Sequence, residues 1–296
     1  NYVGIKESST FKIVATLIET LGLVIVIAVG VYYFFNNGLS INIFETPPNA
    51  GFRSVLSGVA LIFFAYIGFE DIVNVSEETK NARKIVPKAL VIAIIASTIL
   101  YILVSLSAVN TIGWETLSNS KAPLTEVVSS VIPNSNLIFS LIALFATANT
   151  SLILLIVGSR ILYGMSNDNA LPSFFSVIGK RNTPIYSILF VTIVSLLIAL
   201  LTNIKLVAMI TDVSLFLVYG FVNSSLIALR YKYPNMKRGF KTPFNIGKFP
   251  VLAFLGLISS IFMLFYFEKI IILIEILVLI AGYILYRVIK QFRTTK

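Results

Sequence analysis

Phe63-Phe64-Ala65-Tyr66-Ile67-Gly68-Phe69-Glu70-Asp71 places a glycine and two acids inside an apolar segment of membrane length. Glycine admits backbone conformations that other residues avoid, and a charged carboxylate facing lipid costs ~2.5–3.5 kcal/mol. A span with only a structural task has little use for either. Ser54 to Phe64 reads as one half-helix, 69–78 as another, and Ala65-Tyr66-Ile67-Gly68 as a non-helical link between them. Carbonyls freed from a helix at that depth are tolerated where they line a cavity or meet a ligand, which makes the link a candidate binding site. An unbroken helix with a packing glycine is the alternative.

The rest of the chain supplies the setting. Of its 296 residues 57% are hydrophobic and 12% charged, and the mean hydropathy is +0.93. That much apolar surface cannot be hidden in a soluble domain of this length. The apolar runs are helix-length rather than the ~10 alternating residues of a barrel strand. The expected fold class is therefore all-α, a polytopic membrane helix bundle. Eight transmembrane helices are expected near 13–35, 54–76, 89–111, 137–158, 184–202, 206–229, 249–267 and 270–289, with the second discontinuous.

In this arrangement 19 of the 23 Lys and Arg residues fall on one side, among them Arg83, Lys84, Arg230, Lys237 and Arg238, while Arg53, Lys121, Lys205 and Lys269 fall on the other. By the positive-inside rule the first side is cytoplasmic, and both ends of the chain lie there. The net charge of +10 is accounted for by this basic face, so nucleic acid is not an expected partner; the lipid bilayer is. The absence of cysteine and histidine removes thiols, imidazole bases and the usual zinc sites. No nucleophile motif points to an enzyme, and no cofactor is expected. A proton-handling group within the spans must be a carboxylate, lysine or tyrosine.

Further polar residues stand at membrane depth. Glu19 lies in the first span with Thr16 and Gly22 at helical spacing, and reads either as a functional acid or as one hydrogen-bonded to a neighbouring helix. Thr147-Ala148-Asn149-Thr150-Ser151 puts four polar residues in five into the fourth span, more than packing requires. Asp212, Asn223 and Ser224 read as packing or gate residues, and Glu275 as a helix contact. Between the third and fourth spans, Gly113-Trp114-Glu115 and Ala122 to Val128 read as an external loop with a short amphipathic helix. Pro87 suits the first turn of the third span.

The run from Phe63 to Leu90, FFAYIGFEDIVNVSEETKNARKIVPKAL, resembles the sixth-helix signature of the amino acid, polyamine and organocation (APC) family of secondary transporters, departing from it at Ala82, where that family commonly has proline. Gly4 to Ser8 with Thr16 to Glu19 resembles the start of its fifth helix. Ser159 to Phe175, followed by Thr183-Pro184, resembles the loop after its eighth, and Arg238 to Phe244 the loop before its eleventh. The motifs occur in the family's order over essentially the whole chain.

The resemblance implies a LeuT-type fold in which this chain supplies helices five to twelve. Residues 1–35 correspond to the last helix of the first inverted repeat. Residues 36–229 correspond to the second repeat, with its broken helix at 54–78, and 230–296 to a basic loop and two peripheral helices. Helices one to four would then come from missing N-terminal helices or a partner chain. The implied activity is secondary active amino acid transport across the cell membrane by alternating access. The carbonyls of Phe64, Ala65 and Ile67 would receive the substrate ammonium beside Gly68, and Phe69 would close over it. Glu19, Glu70, Asn149, Thr150 and Ser151 are the candidate coupling residues. Some family members fill the junction of helices five and eight with a basic side chain; the acid Glu19 stands there instead, leaving a proton acceptor or a cation ligand as readings. Proton coupling is expected; sodium coupling and a non-transporting membrane interaction subunit are the alternatives.

Overall fold

The computed structural model describes residues 5–40, 51–74, 76, 79–179, 183–200 and 203–294. Eleven α-helices are described: α1 (Ile5–Asn37), α2 (Phe52–Ile62), α3 (Asp71–Asn74), α4 (Ala82–Ile112), α5 (Trp114–Asn119), α6 (Pro123–Ser129), α7 (Asn136–Asn167), α8 (Ile185–Ala199), α9 (Ile204–Lys232), α10 (Val251–Leu264) and α11 (Lys269–Thr294). The only sheet among the described residues is a hairpin pairing Asn245–Ile246 with Phe249–Pro250. All eight expected spans fall on helices, and six of these are long and apolar enough to cross a bilayer. The other two, α8 and α10, have 15 and 14 residues, short of the ~20 that cross a typical hydrocarbon core without local thinning. Large apolar side chains such as Phe35, Leu137 and Leu196 are exposed, and they suit a lipid solvent. This is a multi-pass membrane protein with an all-α bundle.

Packing gathers the elements into two units, Asn1–Thr46 with Ala93–Ser195 and Pro47–Ile92 with Leu196–Lys296. In the first, α1 lies against α7, and α6 covers both. Val26 and Val29 of α1, Ala108 of α4, Val127 and Val128 of α6 and Phe139 of α7 form its buried core. The expected external helix is thus two short helices, of which α6 is anchored by fully buried valines. Small residues bring the long helices together: a methyl on Gly30 would overlap Ser107, and one on Gly22 would come within 2.9 Å of Ile142. Past the end of α1, Gly38 takes a positive φ of 72°, and Asn110 of α4 accepts from the Ser40 amide at 3.0 Å. The end of α7 is closed by Asn169 at φ 62° and by Ser166, which donates to the Pro172 carbonyl at 2.7 Å.

In the second unit α9 is the central element, with α10, α11 and α2 against it. Ala60, Met209, Val213, Phe216, Phe267 and Ile271 make the core. Glu275 accepts from Ser214 at 2.9 Å, joining α11 to α9. Arg238, in the loop after α9, donates to the carbonyls of Leu229, Tyr233 and Met236. It thereby satisfies acceptors that the end of a helix leaves open. A methyl on Gly239 would lie 2.8 Å from Arg83 Cβ, so this loop rests directly on the start of α4.

One local expectation is corrected. Helix α4 starts at Ala82, so Pro87 lies in its second turn rather than its first and withholds the donor that would meet the Arg83 carbonyl. The same boundary explains Ala82: as the first helical residue it occupies the position where proline is also welcome, so the departure from the family pattern leaves the helix start intact.

Candidate functional site

The second span is broken. α2 ends at Ile62 and tightens into a 3-10 turn over Phe63–Tyr66; Ile67 is extended at φ −61°, ψ 137°. Gly68 follows at φ +115°, and α3 begins at Asp71. The break therefore sits at Ile67–Gly68, two residues beyond the start of the expected link, because the 3-10 turn carries helical winding through Tyr66. The expected second half-helix is described to Asn74, at Ser76 and from Thr79; Val75, Glu77 and Glu78 lie outside the described residues. A Cβ on Gly68 would meet only Asp71 Oδ2, at 3.9 Å. Glycine is required there by backbone conformation, not by space.

The break is held by local bonds. The Gly68 amide donates to Glu70 Oε2 at 3.1 Å, so Glu70 is turned back onto the link. The Asp71 amide donates to the Gly68 carbonyl at 3.1 Å, and the Ile67 amide reaches the Phe64 carbonyl at 3.3 Å. Phe64 and Ala65 are exposed, while Ile67, Gly68 and Phe69 are half-buried. Phe69 stacks on Tyr219 of α9 with ring centroids 6.0 Å apart, and Phe63 packs on Phe216 at 4.5 Å. Both sides of the break are thus anchored to one face of α9.

A second constellation joins α1 to α7. Asn149 is 2% exposed and donates through Nδ2 to Glu19 Oε1 at 2.9 Å, while its own Oδ1 is buried without a partner. Thr150 and Ser151 are exposed, and Ser151 spends its hydroxyl on the Thr147 carbonyl of its own helix at 2.8 Å. Of the polar cluster, then, the structure brings Asn149 to Glu19 and leaves Thr150 and Ser151 away from it. Among the described residues, no group of acids is arranged to hold a metal ion.

Sequence reasoning read Asp212 only as a packing or gate residue and passed over Tyr219. Asp212 is fully buried on α9 with neither carboxylate oxygen in hydrogen-bond geometry, and the Tyr219 hydroxyl is likewise buried without a partner. Both stand on the α9 face that meets the break, two turns apart. The available signal was the rarity of a carboxylate inside an apolar span.

The profile of the family described as "Amino acid permease" matches residues 1–281. The chain belongs to that family. The motifs that implied the APC transporters are therefore those of an amino acid permease. Among similar permeases and transporters, the branched-chain amino acid permease BcaP of Bacillus subtilis is 26% identical over 96% of this chain and 60% of its own length. The vacuolar cationic amino acid transporter 4 of Arabidopsis thaliana is 30% identical over 78% of this chain and 39% of its own. The methylthioribose transporter of B. subtilis is 30% identical over 81% and 51%. By name these three are transporters rather than enzymes. The chain spans about 60% or less of the length of these relatives.

Proposed function

We propose that this permease chain carries the substrate-binding break of a secondary amino acid transporter of the cell membrane, working by alternating access. The observation that carries the reading is the interruption at Ile67–Gly68, where positive φ and an extended residue break the helical hydrogen-bond ladder inside an apolar span. Carbonyls at the end of a half-helix carry partial negative charge and suit an ammonium group. The Phe64, Ala65 and Ile67 carbonyls are its proposed contacts beside Gly68. Phe69 closes over the substrate by leaving or keeping its stack on Tyr219. The acids near the break complement the ammonium; the substrate carboxylate needs donors from elsewhere.

Proton coupling is assigned to Glu19 and Glu70, with Asn149 positioning Glu19 and with Thr150 and Ser151 as the neighbouring polar residues of α7. The Asn149 bond holds the Glu19 carboxyl at the junction of α1 and α7, which supports giving that acid the role. Sodium is the second reading, favoured by the unpartnered Asn149 Oδ1 beside Glu19. Both chain ends are proposed to lie on the cytoplasmic side, a reading supported by the distribution of basic residues.

Reconstituted protein tests this with labelled branched-chain and cationic amino acids, and with methylthioribose as the non-amino-acid competitor. Uptake of an amino acid that stops when the proton gradient is collapsed supports the reading. Uptake that ignores the proton gradient and requires sodium replaces the coupling ion. Transport of methylthioribose alone rejects the substrate class.

A further inference from the structure

A groove along the last turns of α9 lies outside both the break and the Glu19–Asn149 pair. Val222, Leu226 and Leu229 recur at i, i+4 and i+7 with Phe221 beside them, and make one apolar lane on the helix surface. From Phe221 to Arg230 the lane runs about 13 Å, close to the ~15 Å of hydrocarbon in one leaflet of a bilayer. It ends at Arg230, Arg238 and Thr242, and the whole groove has a volume of about 490 Å³.

The polar end of the groove is held by hydrogen bonds. Arg230 and Arg238 are both half-buried. Arg230 Nη2 donates to Thr242 Oγ1 at 3.2 Å, and the Thr242 hydroxyl in turn donates to Asn245 Oδ1 at 3.3 Å. Arg238 is fixed by the carbonyls of Leu229, Tyr233 and Met236. Those bonds take three of its five N–H groups, so that among the described residues two remain for a further acceptor. The surrounding charge has one sign. Residues 230–248 hold six Lys and Arg, and the sequence has no acid between Asp212 and Glu268. Beside the groove the large side chains of Phe240, Phe244 and Ile246 are exposed, next to the exposed Lys241 and Lys248. Apolar side chains interleaved with lysines suit the headgroup layer, where each kind meets its own solvent.

We propose that this groove binds one anionic phospholipid, with its phosphate on Arg230 and Arg238 and one acyl chain along the lane from Leu229 to Phe221. Guanidinium forks match phosphate oxygens, and basic pockets at the ends of membrane helices suit anionic headgroups. The lane adds what charge alone does not: an apolar path that begins at the arginines and is as long as a leaflet is deep. A zwitterionic lipid would bring a cation of its own to these arginines. A soluble phosphate would meet the charges and leave the lane empty. The site is independent of the transport reading, since it uses neither the break nor the acids near it.

Purified protein in detergent micelles, titrated with dioleoyl phosphatidylglycerol and read by native mass spectrometry, tests the site. One lipid should bind with about tenfold or greater preference over dioleoyl phosphatidylcholine. Arg230→Gln should weaken that binding about tenfold, whereas Lys232→Gln, which removes an equal charge from an exposed side chain outside the groove, should change it by less than about twofold. Ser225 lines the lane and is exposed, so Ser225→Trp should fill the lane without touching a charge and weaken binding as well. Where Arg230→Gln fails to fold, the tryptophan and lysine variants decide. Lack of preference for the anionic lipid, or equal losses in Arg230→Gln and Lys232→Gln, would reduce the site to diffuse attraction and overturn the proposal. Full binding by Ser225→Trp, or displacement of the lipid by inorganic phosphate at matching concentration, would overturn it too, because the acyl chain would then have no part.

Discussion

Asn149 on α7 donates a 2.9 Å hydrogen bond to Glu19 on α1, tying two long apolar helices through the one carboxylate of α1 that lies at membrane depth. Asn149 is nearly completely buried at this point and Glu19 half-buried, so the bond is partly shielded from competing water.

Glu19→Gln keeps an acceptor for Asn149, whereas Asn149→Ala removes the donor. Reversible unfolding in detergent micelles should show Glu19→Gln within about 0.5 kcal/mol of the parent. A double-mutant cycle using Glu19→Ala and Asn149→Ala should return a coupling of ~0.6–1.7 kcal/mol, the range of hydrogen bonds between membrane helices. Zero coupling would mean that the pair does not hold α1 to α7. In uptake experiments Glu19→Gln should also lose its dependence on the proton gradient.

The close approach of α1 and α4 predicts a steric effect at Gly30. A methyl there overlaps Ser107, and overpacking of this kind typically costs ~1–3 kcal/mol. Gly30→Ala should therefore lower the thermal midpoint in detergent, and adding Ser107→Gly should recover most of the loss. Gly164→Ala is the control, because a methyl there meets nothing within 4 Å. Equal effects at both glycines would contradict the described contact.

Arg238 closes the end of α9 with bonds to three carbonyls. Lysine carries the same charge but lacks the planar fork. Arg238→Lys and Arg238→Gln should both raise hydrogen exchange over residues 229–240, by an amount corresponding to about 1.5–3 kcal/mol of lost local stability. Unchanged exchange in the lysine variant would show that charge alone suffices.

The membrane bundle was legible because lipid imposes long apolar helices, and the broken span because Gly68 and Glu70 violate that rule at one place. The boundary of the break was not: α-helical and 3-10 winding over Phe63–Tyr66 use the same residues, and only the backbone distinguishes them. Pro87 was placed one turn too early for a related reason, since the helix before it starts in the polar residues 82–84. Thr147 to Ser151 read as one cluster along the chain, yet a helix sends Asn149 inward and Ser151 outward. Asp212 looked ordinary in sequence; its standing comes from α2 and the 3-10 turn, which arrive from about 150 residues earlier and enclose it without partnering it. The role of Arg238 was hidden because its acceptors are main-chain carbonyls, which carry no sequence signature.

The central claim is that the conformation of Gly68 builds the substrate site. Equilibrium binding of the transported amino acid to purified protein should be compared in the parent, Gly68→Ala and Gly58→Ala. The first substitution forces an L-residue into φ +115°, at a cost of ~1–3 kcal/mol if the backbone is to stay as it is. The second adds a methyl within α2 where nothing lies within 4 Å. The account predicts about tenfold or greater loss of affinity for Gly68→Ala, equivalent to ~1.4 kcal/mol or more, with Gly58→Ala close to the parent. Binding by Gly68→Ala that matches the parent would contradict it.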